Sequence, residues 1–444
     1  MLLLPGIESI PVETFRQIKN YVLGGGAVIA LERIPESATG LQNNKENNEE
    51  VRQISTALFR QPLGAEDDGM NACGAGKTFC LKQVLEREDP LDWRVAPLDP
   101  FLKTLRLVAG PDLKSERVPP GRGNDEGIAF IHRQSEDKDI YFVVNLQHTP
   151  STGPLGFRVT RGRPYWWDPS TGVRQPVASY SRADGYTRLP ISLAPFESRF
   201  IVFEDTNSPL KEETHVMESD FAEVLDADRN GFTALAVRNG LHAYRFHTGT
   251  DSVQGTAGVE GIPSAYVISG NWNVTFPGEE GLVETLHWPA LKSWTDDSLL
   301  RHFSGTAHYS IVFTLPEEYG AEDVHLRLSL GEVGTIADIR INGKPVGVHW
   351  MSGQEFGLNG IVHAGENTLK VEVINTLINR VSGLDAFPEV SEELRPFFGT
   401  GIRASNPAAE ALLHFEALPR SGLLGPVCIT PFKRIRVEPP PAGG

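Results

Sequence analysis

The hydrophobic pattern of the first 34 residues predicts a strand, a helix and a second strand. Leu2 to Leu4 and Ala27 to Leu31 are short apolar runs, and the segment from Val12 to Val22 repeats apolar residues at helical spacing. A strand, a crossover helix and a returning strand form one step of a parallel sheet. We therefore expect the two runs to be neighbouring parallel strands. A second helix is predicted from Val51 to Phe59.

From about residue 127 the pattern changes to short β runs separated by Gly, Pro, Asp and Ser. The runs are IAFIHRQ, DIYFVVNLQ, GFRVTRG, PYWWDP, RLPISL and SRFIVFE. Strands that recur at intervals of about ten residues are typical of an antiparallel sandwich. Residues 206–268 carry a weaker pattern, and we expect them to connect or extend this sandwich.

A second β series begins near Gly270 and includes NWNVTF, AHYSIVFTL, VHLRLSL, IADIRIN, KPVGVHW and TLKVEVIN. Asn342-Gly343 interrupts it, and both residue types accept positive φ. This predicts a two-residue hairpin between Ile336–Ile341 and Lys344–Trp350, within a second sandwich of the jelly-roll kind. Residues 437–444, which include EPPPAGG, are predicted to be a disordered tail.

Composition narrows the class of partner. The chain has 444 residues, enough for two to four domains at about 150 residues each. Its 44 Gly and 32 Pro favour turn-rich β structure, and its formal charge of -16 argues against nucleic acid or an anionic membrane as partner. A neutral ligand such as a sugar fits this charge. No apolar run approaches the roughly 18 residues of a membrane span, and the N-terminus shows no signal-peptide pattern.

The cysteines and two short motifs give no firm metal or cofactor site. Of the three cysteines, Cys73 and Cys80 could form one local bridge, and none has metal-ligand spacing. GAGKT, residues 74–78, resembles the end of a P-loop, but Asn71 stands where the first Gly belongs, so a flexible loop is favoured. We expect no metal and no cofactor.

The segment 226–231, DADRNG, copies the first half of an EF-hand calcium loop. The twelfth position of that loop should supply a bidentate Glu, and here it is Val237. A turn that leads into a strand, FTALAV, is therefore favoured over a calcium site.

Five segments in order resemble the C-terminal portion of bacterial α-L-rhamnosidases of glycoside hydrolase family 106. They are GNWNVTFPGE, LKSWTDDSLLRHFSGTAHYSIVFTLPEE, LGEVGTIADIRINGKPVGVHW, GENTLKVEVINTLINR and SGLLGPVCI. The second half is also similar to the galactose-binding-like jelly roll of family 2, the β-galactosidase-like hydrolases. FRQIKNYVLGGGAVIALERIPESATGL looks like the flavodoxin-like domain that follows the family's catalytic barrel.

The resemblance implies a mainly β chain with a partial N-terminal α/β segment. The expected domains are a partial flavodoxin-like domain at 1–120, a β-sandwich at 125–205, a connecting segment at 206–268 and a galactose-binding-like jelly roll at 269–436. The family's barrel carries the catalytic carboxylates and comes earlier in the chain, so this sequence reads as truncated. No catalytic residue can be carried over. The resemblance also implies an extracellular or periplasmic location.

Two functions remain open on the sequence. The chain is either the non-catalytic C-terminal part of an α-L-rhamnosidase-like hydrolase, which supports a barrel domain or partner chain, or a free-standing carbohydrate-binding or scaffold protein. Plant or pectic glycans are the expected ligands in both cases.

Three residues are candidates for sugar binding. Trp294 and Trp350 are flanked by polar loop residues, and an exposed ring of either could stack on a sugar. Arg380 could donate a planar pair of hydrogen bonds to adjacent hydroxyls. The alternative is that both tryptophans belong to the core and that Arg380 caps a loop or forms an ion pair.

Overall fold

The computed structural model describes residues 1–40, 44–60, 69–81, 99–115, 127–169, 172–204, 214–277, 283–387, 391–393, 395–398 and 411–440. Strands make up 49% of the described residues and helices 13%, so the expected mainly β class is confirmed. The residues group into two compact units, Met1–Lys114 and the part that follows from Ser115. Among the described helices none is both long and apolar enough to cross a bilayer. The end of the predicted tail, residues 441–444, lies outside the described part.

The first unit is built on a small mixed sheet with the strand order β1–β3–β6–β5. Its elements are β1 (Leu2–Pro5), β2 (Ser9–Ile10), α1 (Val12–Leu23), β3 (Ala27–Leu31), β4 (Ser37–Ala38), α2 (Asn44–Leu58), β5 (Asn71–Cys73), β6 (Gly76–Leu81) and α3 (Asp99–Val108). The prediction that Leu2–Leu4 and Ala27–Leu31 are neighbouring parallel strands is confirmed, since Leu2 pairs with Val28. The second helix begins earlier than predicted, at Asn44.

Helices on both faces explain why β3 is apolar throughout. Val28 and Ala30 point to one core, which they share with α1 and α2, while Ile29 and Leu31 point to a second core against α3. Successive strand residues face opposite sides of a sheet, so a strand covered twice carries no polar alternation.

The GAGKT segment is a hairpin and not the flexible loop that the sequence favoured. Cys73 pairs with Gly76, and β6 continues through Thr78 into the sheet. Gly76 lies so close to the carbonyls of Val22 and Gly26 that an added Cβ would stand 2.1 and 2.3 Å from their oxygens. This glycine serves close packing, not phosphate binding. Cys73 and Cys80 are not disulfide-bonded, and neither is Cys428.

The second unit opens with a two-sheet sandwich. Its strands are β7 (Leu113–Ser115), where the division between the units falls, β8 (Ile128–Gln134), β9 (Lys138–Asn145), β10 (Ser151–Phe157), β11 (Arg163–Trp167), β12 (Arg174–Pro176), β13 (Ser181–Ala183), β14 (Tyr186–Leu193) and β15 (Ser198–Glu204). One sheet has five strands in the order β12–β11–β15–β9–β8, and the other contains β13, β14 and β10. Tyr141, Phe157 and Phe203 pack between them, with the first two ring centroids 4.9 Å apart.

Residues 215–267 form strands in spite of their weak pattern. They are β16 (His215–Ser219), β17 (Glu223–Asp228), β18 (Gly231–Ala236), β19 (Gly240–His247), β20 (Ser252–Val259) and β21 (Tyr266–Val267). β16, β19 and β20 make a three-stranded sheet. β18 pairs instead with β32 (Cys428–Val437), the last strand of the chain. This stretch therefore joins the second sandwich through a partner that lies far away in sequence.

The second sandwich encloses the largest described core. Its remaining elements are β22 (Trp272–Pro277), β23 (Val283–Trp288), β24 (Thr306–Leu315), β25 (Val324–Ser329), β26 (Glu332–Gly334), β27 (Ile336–Ile341), β28 (Lys344–His349), β29 (Glu355–Gly357), β30 (Gly365–Ile374), α4 (Ile378–Ser382), α5 (Arg395–Phe398) and β31 (Gly422–Gly425). One sheet runs β23–β22–β24–β30–β27–β28, and the facing sheet is built on β18, β32, β25 and β29. Trp272, Tyr309 and Leu328 are among the buried side chains between them.

The predicted hairpin at Asn342-Gly343 is confirmed. Ile341 pairs with Lys344, and φ is 54° at Asn342 and 78° at Gly343, the left-handed values that a two-residue turn of this type requires. The Asn342 side chain also donates to Asn367 Oδ1 at 2.8 Å and accepts from the Thr368 N–H at 2.9 Å. The turn is thereby tied to β30 as well as to its own two strands.

Candidate functional site

Trp294 is a core residue, so the expectation of an exposed sugar-stacking ring at this position is wrong. It is 0% exposed and begins a short 3-10 helix that the Ser293 side chain caps. Its indole N–H donates to the Tyr309 hydroxyl at 2.6 Å, and burial raises the pKa of that phenol to about 12. Gly422 leaves no room around this pair, because an added Cβ would stand 2.5 Å from the indole nitrogen. Trp294 therefore fills part of the core of the sandwich.

Trp350 is exposed to solvent, which is one of the two alternatives that the sequence left open. Its side chain is 52% exposed, whereas the preceding His349 is only 4% exposed. His349 is the last residue of β28 and is buried, and Trp350 directly after it is exposed to solvent, as continued strand alternation would give. The Gln354 side-chain oxygen accepts from the backbone N–H groups of Trp350 and Met351, at 2.7 and 2.9 Å, and fixes the chain as it leaves β28.

Arg380 is an exposed residue in the short helix α4 that follows β30. Its backbone N–H donates to the Ser304 side chain at 2.9 Å. Ser304 stands just before β24, whose first residue Thr306 pairs with Ile374, the last residue of β30. The structure thus brings Arg380 and Trp350 to the same end of one sheet and leaves Trp294 beneath it.

An apolar row connects Trp350 with that end of β30. Ile336 and Ile374 are cross-strand partners, 40% and 46% exposed, on the outer face of the sheet. The ladder of β27 with β28 ends at the pair of Ala337 with His349, and Ile336 and Trp350 are the next residues beyond that pair. Neighbouring strands are about 4.8 Å apart, so the row from Trp350 to Ile374 is on the order of 10 Å long.

A row of charged side chains lies next to the apolar row. Asp338 pairs with Glu372, and Glu372 pairs with His308, all at outward positions of β27, β30 and β24. His308 Nδ1 is 3.5 Å from Glu372, and Arg340 Nε is 3.5 Å from Asp338. These side chains are 42 to 49% exposed, so solvent screens the pairs and they add little to stability. We call the apolar row and this charged row together the Trp350 face.

His349 lies under the Trp350 face and adds no charge to it near neutral pH. Burial lowers the pKa of its imidazole, because the charged form loses its hydration in the core. Its Nδ1 has no hydrogen-bond partner in the described part of the chain. A buried neutral imidazole at this position packs as a core side chain of the edge strand.

The EF-hand-like segment is a turn between β17 and β18, as predicted. Arg436 Nη1 is 3.2 Å from Asp226, and its Nη2 is 2.6 Å from Asp228. A hydrogen bond from the Asn230 backbone and then Arg436 lower the pKa of Asp228. The guanidinium group thus stands where a calcium loop would hold its ion. Within the described ranges no group of three or more His, Cys, Asp or Glu could hold a metal.

A groove of about 900 Å³ lies between α1 and α2 of the first unit. Its carboxylate Glu50 receives hydrogen bonds from Arg16 at 2.6 and 2.8 Å, and these bonds lower its pKa. A general acid of a glycosidase needs the opposite shift, a raised pKa. Glu50 therefore does not fit the role of a catalytic acid.

Comparison with known proteins agrees with the sequence resemblance. The α-L-rhamnosidase family model, glycoside hydrolase family 106, matches residues 1–182. The structure of a rhamnosidase from Novosphingobium sp. PP1Y aligns with 94% of this chain at 22% identity and a TM-score of 0.57. The resemblance to family 106 is confirmed. The sequence match covers the first unit and the start of the sandwich, and the shared fold extends over most of the chain.

One curated relative bears a different activity in its name. "Putative beta-glucuronidase" from Formosa agariphila is 31% identical over 185 residues, which are 38% of this chain. The chain spans 16% of the length of this relative and 32% of the rhamnosidase structure.

Sequence reasoning missed Ile336, Ile374, Asp338 and Glu372. Their signal was present in the strict alternation of IADIRI and KVEVI, which marks the outward positions of β27 and β30. The pattern gives the face on which each residue lies, but not which strands become neighbours.

Proposed function

We propose that this chain is a non-catalytic part of an α-L-rhamnosidase-like glycoside hydrolase that supports a catalytic barrel domain and binds carbohydrate through the Trp350 face. The family 106 match and the fold shared with a rhamnosidase support the hydrolase context. The strand order supports the non-catalytic role, because the described strands form short sheets and sandwiches, not a ring of eight βα units.

The observation that carries the binding role is the half-exposed ring of Trp350 beside an apolar row and two carboxylates. An aromatic ring and aliphatic side chains cover the C–H side of a sugar, and carboxylates accept hydrogen bonds from its hydroxyls. Arg380 stands at the same end of the sheet, where its guanidinium group would add donors. Trp294 has no part in this proposal.

Isothermal titration with rhamnose, galactose and pectic oligosaccharides tests the binding role. We expect wild type to bind at least one of them and Trp350→Ala to weaken that binding by about fivefold or more, since stacking on one ring contributes roughly 1 kcal/mol or more. Val312→Ala is the matched control, because Val312 is 57% exposed on the same outer face but at the opposite end of β24. No heat with any sugar, or equal binding by folded Trp350→Ala, would refute the site.

Hydrolysis of aryl α-L-rhamnosides tests the non-catalytic role. We expect no turnover by this chain alone. Turnover that survives repurification and disappears when one Glu of this chain is changed to Gln would overturn that part of the proposal.

A further inference from the structure

We infer that the Trp350 face selects neutral sugars and disfavours uronic acids, an inference that rests on the proposed function. The selecting groups are the carboxylates of Asp338 and Glu372. They are direct cross-strand partners, so their Cβ atoms stand about 5 Å apart, and they lie in the row next to Ile336 and Ile374. A sugar that covers the apolar row meets these two negative charges first.

The spacing of the rows sets the size of the effect. Two residues along a strand span roughly 6.7 Å, so each carboxylate lies about that far from the apolar row. At this distance in a water-like dielectric, one unit charge changes the affinity for another by roughly threefold, and two by about eightfold. The discrimination is therefore modest, and salt should weaken it because the Debye length at 0.15 M is only about 8 Å.

The cations that oppose this field lie farther from the apolar row or outside the two strands. Arg340 and Lys370 are partners in the next row of β27 and β30, on the side away from Ile336, and Arg340 Nε is 3.5 Å from Asp338. The imidazole of His308, which opposes the field only when it is protonated, stands in the carboxylate row on the far side of Glu372. Arg380 is the cation near the apolar end, in the loop helix that follows β30. If Arg380 set the preference, uronates would bind more tightly than neutral sugars.

Trigalacturonate and its fully methyl-esterified form make a matched pair of probes, since esterification removes the charge and keeps the carbohydrate skeleton. Because Arg340 and Lys370 offset part of the field, we expect wild type to bind the ester about two to five times more tightly than the acid at 20 mM salt, and less than twice as tightly at 500 mM. The double variant Asp338→Asn/Glu372→Gln should bind both forms equally. Lys370→Gln should widen the gap, because it removes an opposing cation.

Equal affinities in wild type, a preference for the acid, or a gap that persists in the double variant would each overturn the inference. Arg380→Gln identifies the cause of a preference for the acid, since that preference would then be lost. These outcomes leave the proposed function intact if Trp350→Ala still weakens binding. If wild type binds neither probe nor any sugar of the first titration, the proposed function fails and the inference falls with it.

Discussion

Two large sheets of the second unit, the six-stranded sheet that contains β27 and β30 and the five-stranded sheet of the first sandwich, each bury one face in a core, and their outer faces differ. On the six-stranded sheet the outer positions of β27 and β30 carry Asp338, Arg340, Lys370 and Glu372, with apolar residues only at one end. On the five-stranded sheet the outer row of the central strands is Trp167, Phe200, Phe142 and Ile131, in register across β11, β15, β9 and β8. Phe142 and Phe200 pack ring to ring at 5.0 Å.

The difference teaches how far strand alternation can be trusted. In β27 the sequence IADIRI alternates, so the buried and exposed faces follow from the period. In β9 the sequence KDIYFVVN is apolar on both faces, so the period does not say which side meets the core. On the first face the charged groups fill the rows next to the apolar end, whereas on the second an aromatic and aliphatic row crosses four strands and charged side chains such as Lys138 and Glu204 lie in another row.

The largest expected effect is on stability, and it compares a buried tryptophan under the sheet that contains β27 and β30 with an exposed one on its outer side. Trp294→Ala should lower the free energy of unfolding by about 3 to 5 kcal/mol, because it leaves a cavity and removes one of the two donors to the Tyr309 hydroxyl. Trp350→Ala should change it by roughly 0.5 kcal/mol or less. Urea titrations of both variants measure this. A small loss of unfolding free energy for Trp294→Ala would contradict the prediction that this buried side chain stabilises the sandwich.

A smaller effect on stability is expected at the turn that joins β27 and β28. Gly343→Val should cost about 1 to 3 kcal/mol, because a β-branched residue resists the φ of 78° found there. Nothing lies within 4 Å of the Cβ that would be added, so the cost comes from the backbone and not from crowding. Gly343→Asn is the matched control, since Asn tolerates this conformation. Equal melting temperatures for the two variants would contradict the turn.

The smallest effect on stability tests the comparison of the outer faces directly. Ile131→Lys and Ile336→Lys each replace an isoleucine that is 52% or 40% exposed, so each should change the free energy of unfolding by about 0.5 kcal/mol or less. We expect the wild-type chain to bind the dye ANS on the apolar face of the five-stranded sheet. Ile131→Lys should reduce the dye fluorescence more than Ile336→Lys does. The reverse order would show that the Trp350 end is the larger apolar surface.

Local patterns predicted much of the fold. The parallel pair formed by Leu2–Leu4 and Ala27–Leu31, most of the strands of both sandwiches and the Asn342-Gly343 turn all follow from period and turn chemistry. Each depends on residues close together in sequence. The GAGKT hairpin did not follow, because Gly76 is required by the approach of Val22 and Gly26 from another part of the chain.

The candidate site shows which features the local sequence does not predict. Trp294 and Trp350 have similar polar neighbours, and local pattern alone gave them the same role. The sequence by itself determined the alternation that turns Trp350 away from His349. Only the tertiary structure decided that Trp294 is buried, since Tyr309 and the Ser421–Leu423 segment close over it from strands far away in the chain. Burial depends on which distant strands pair, and a local period carries no information about that pairing.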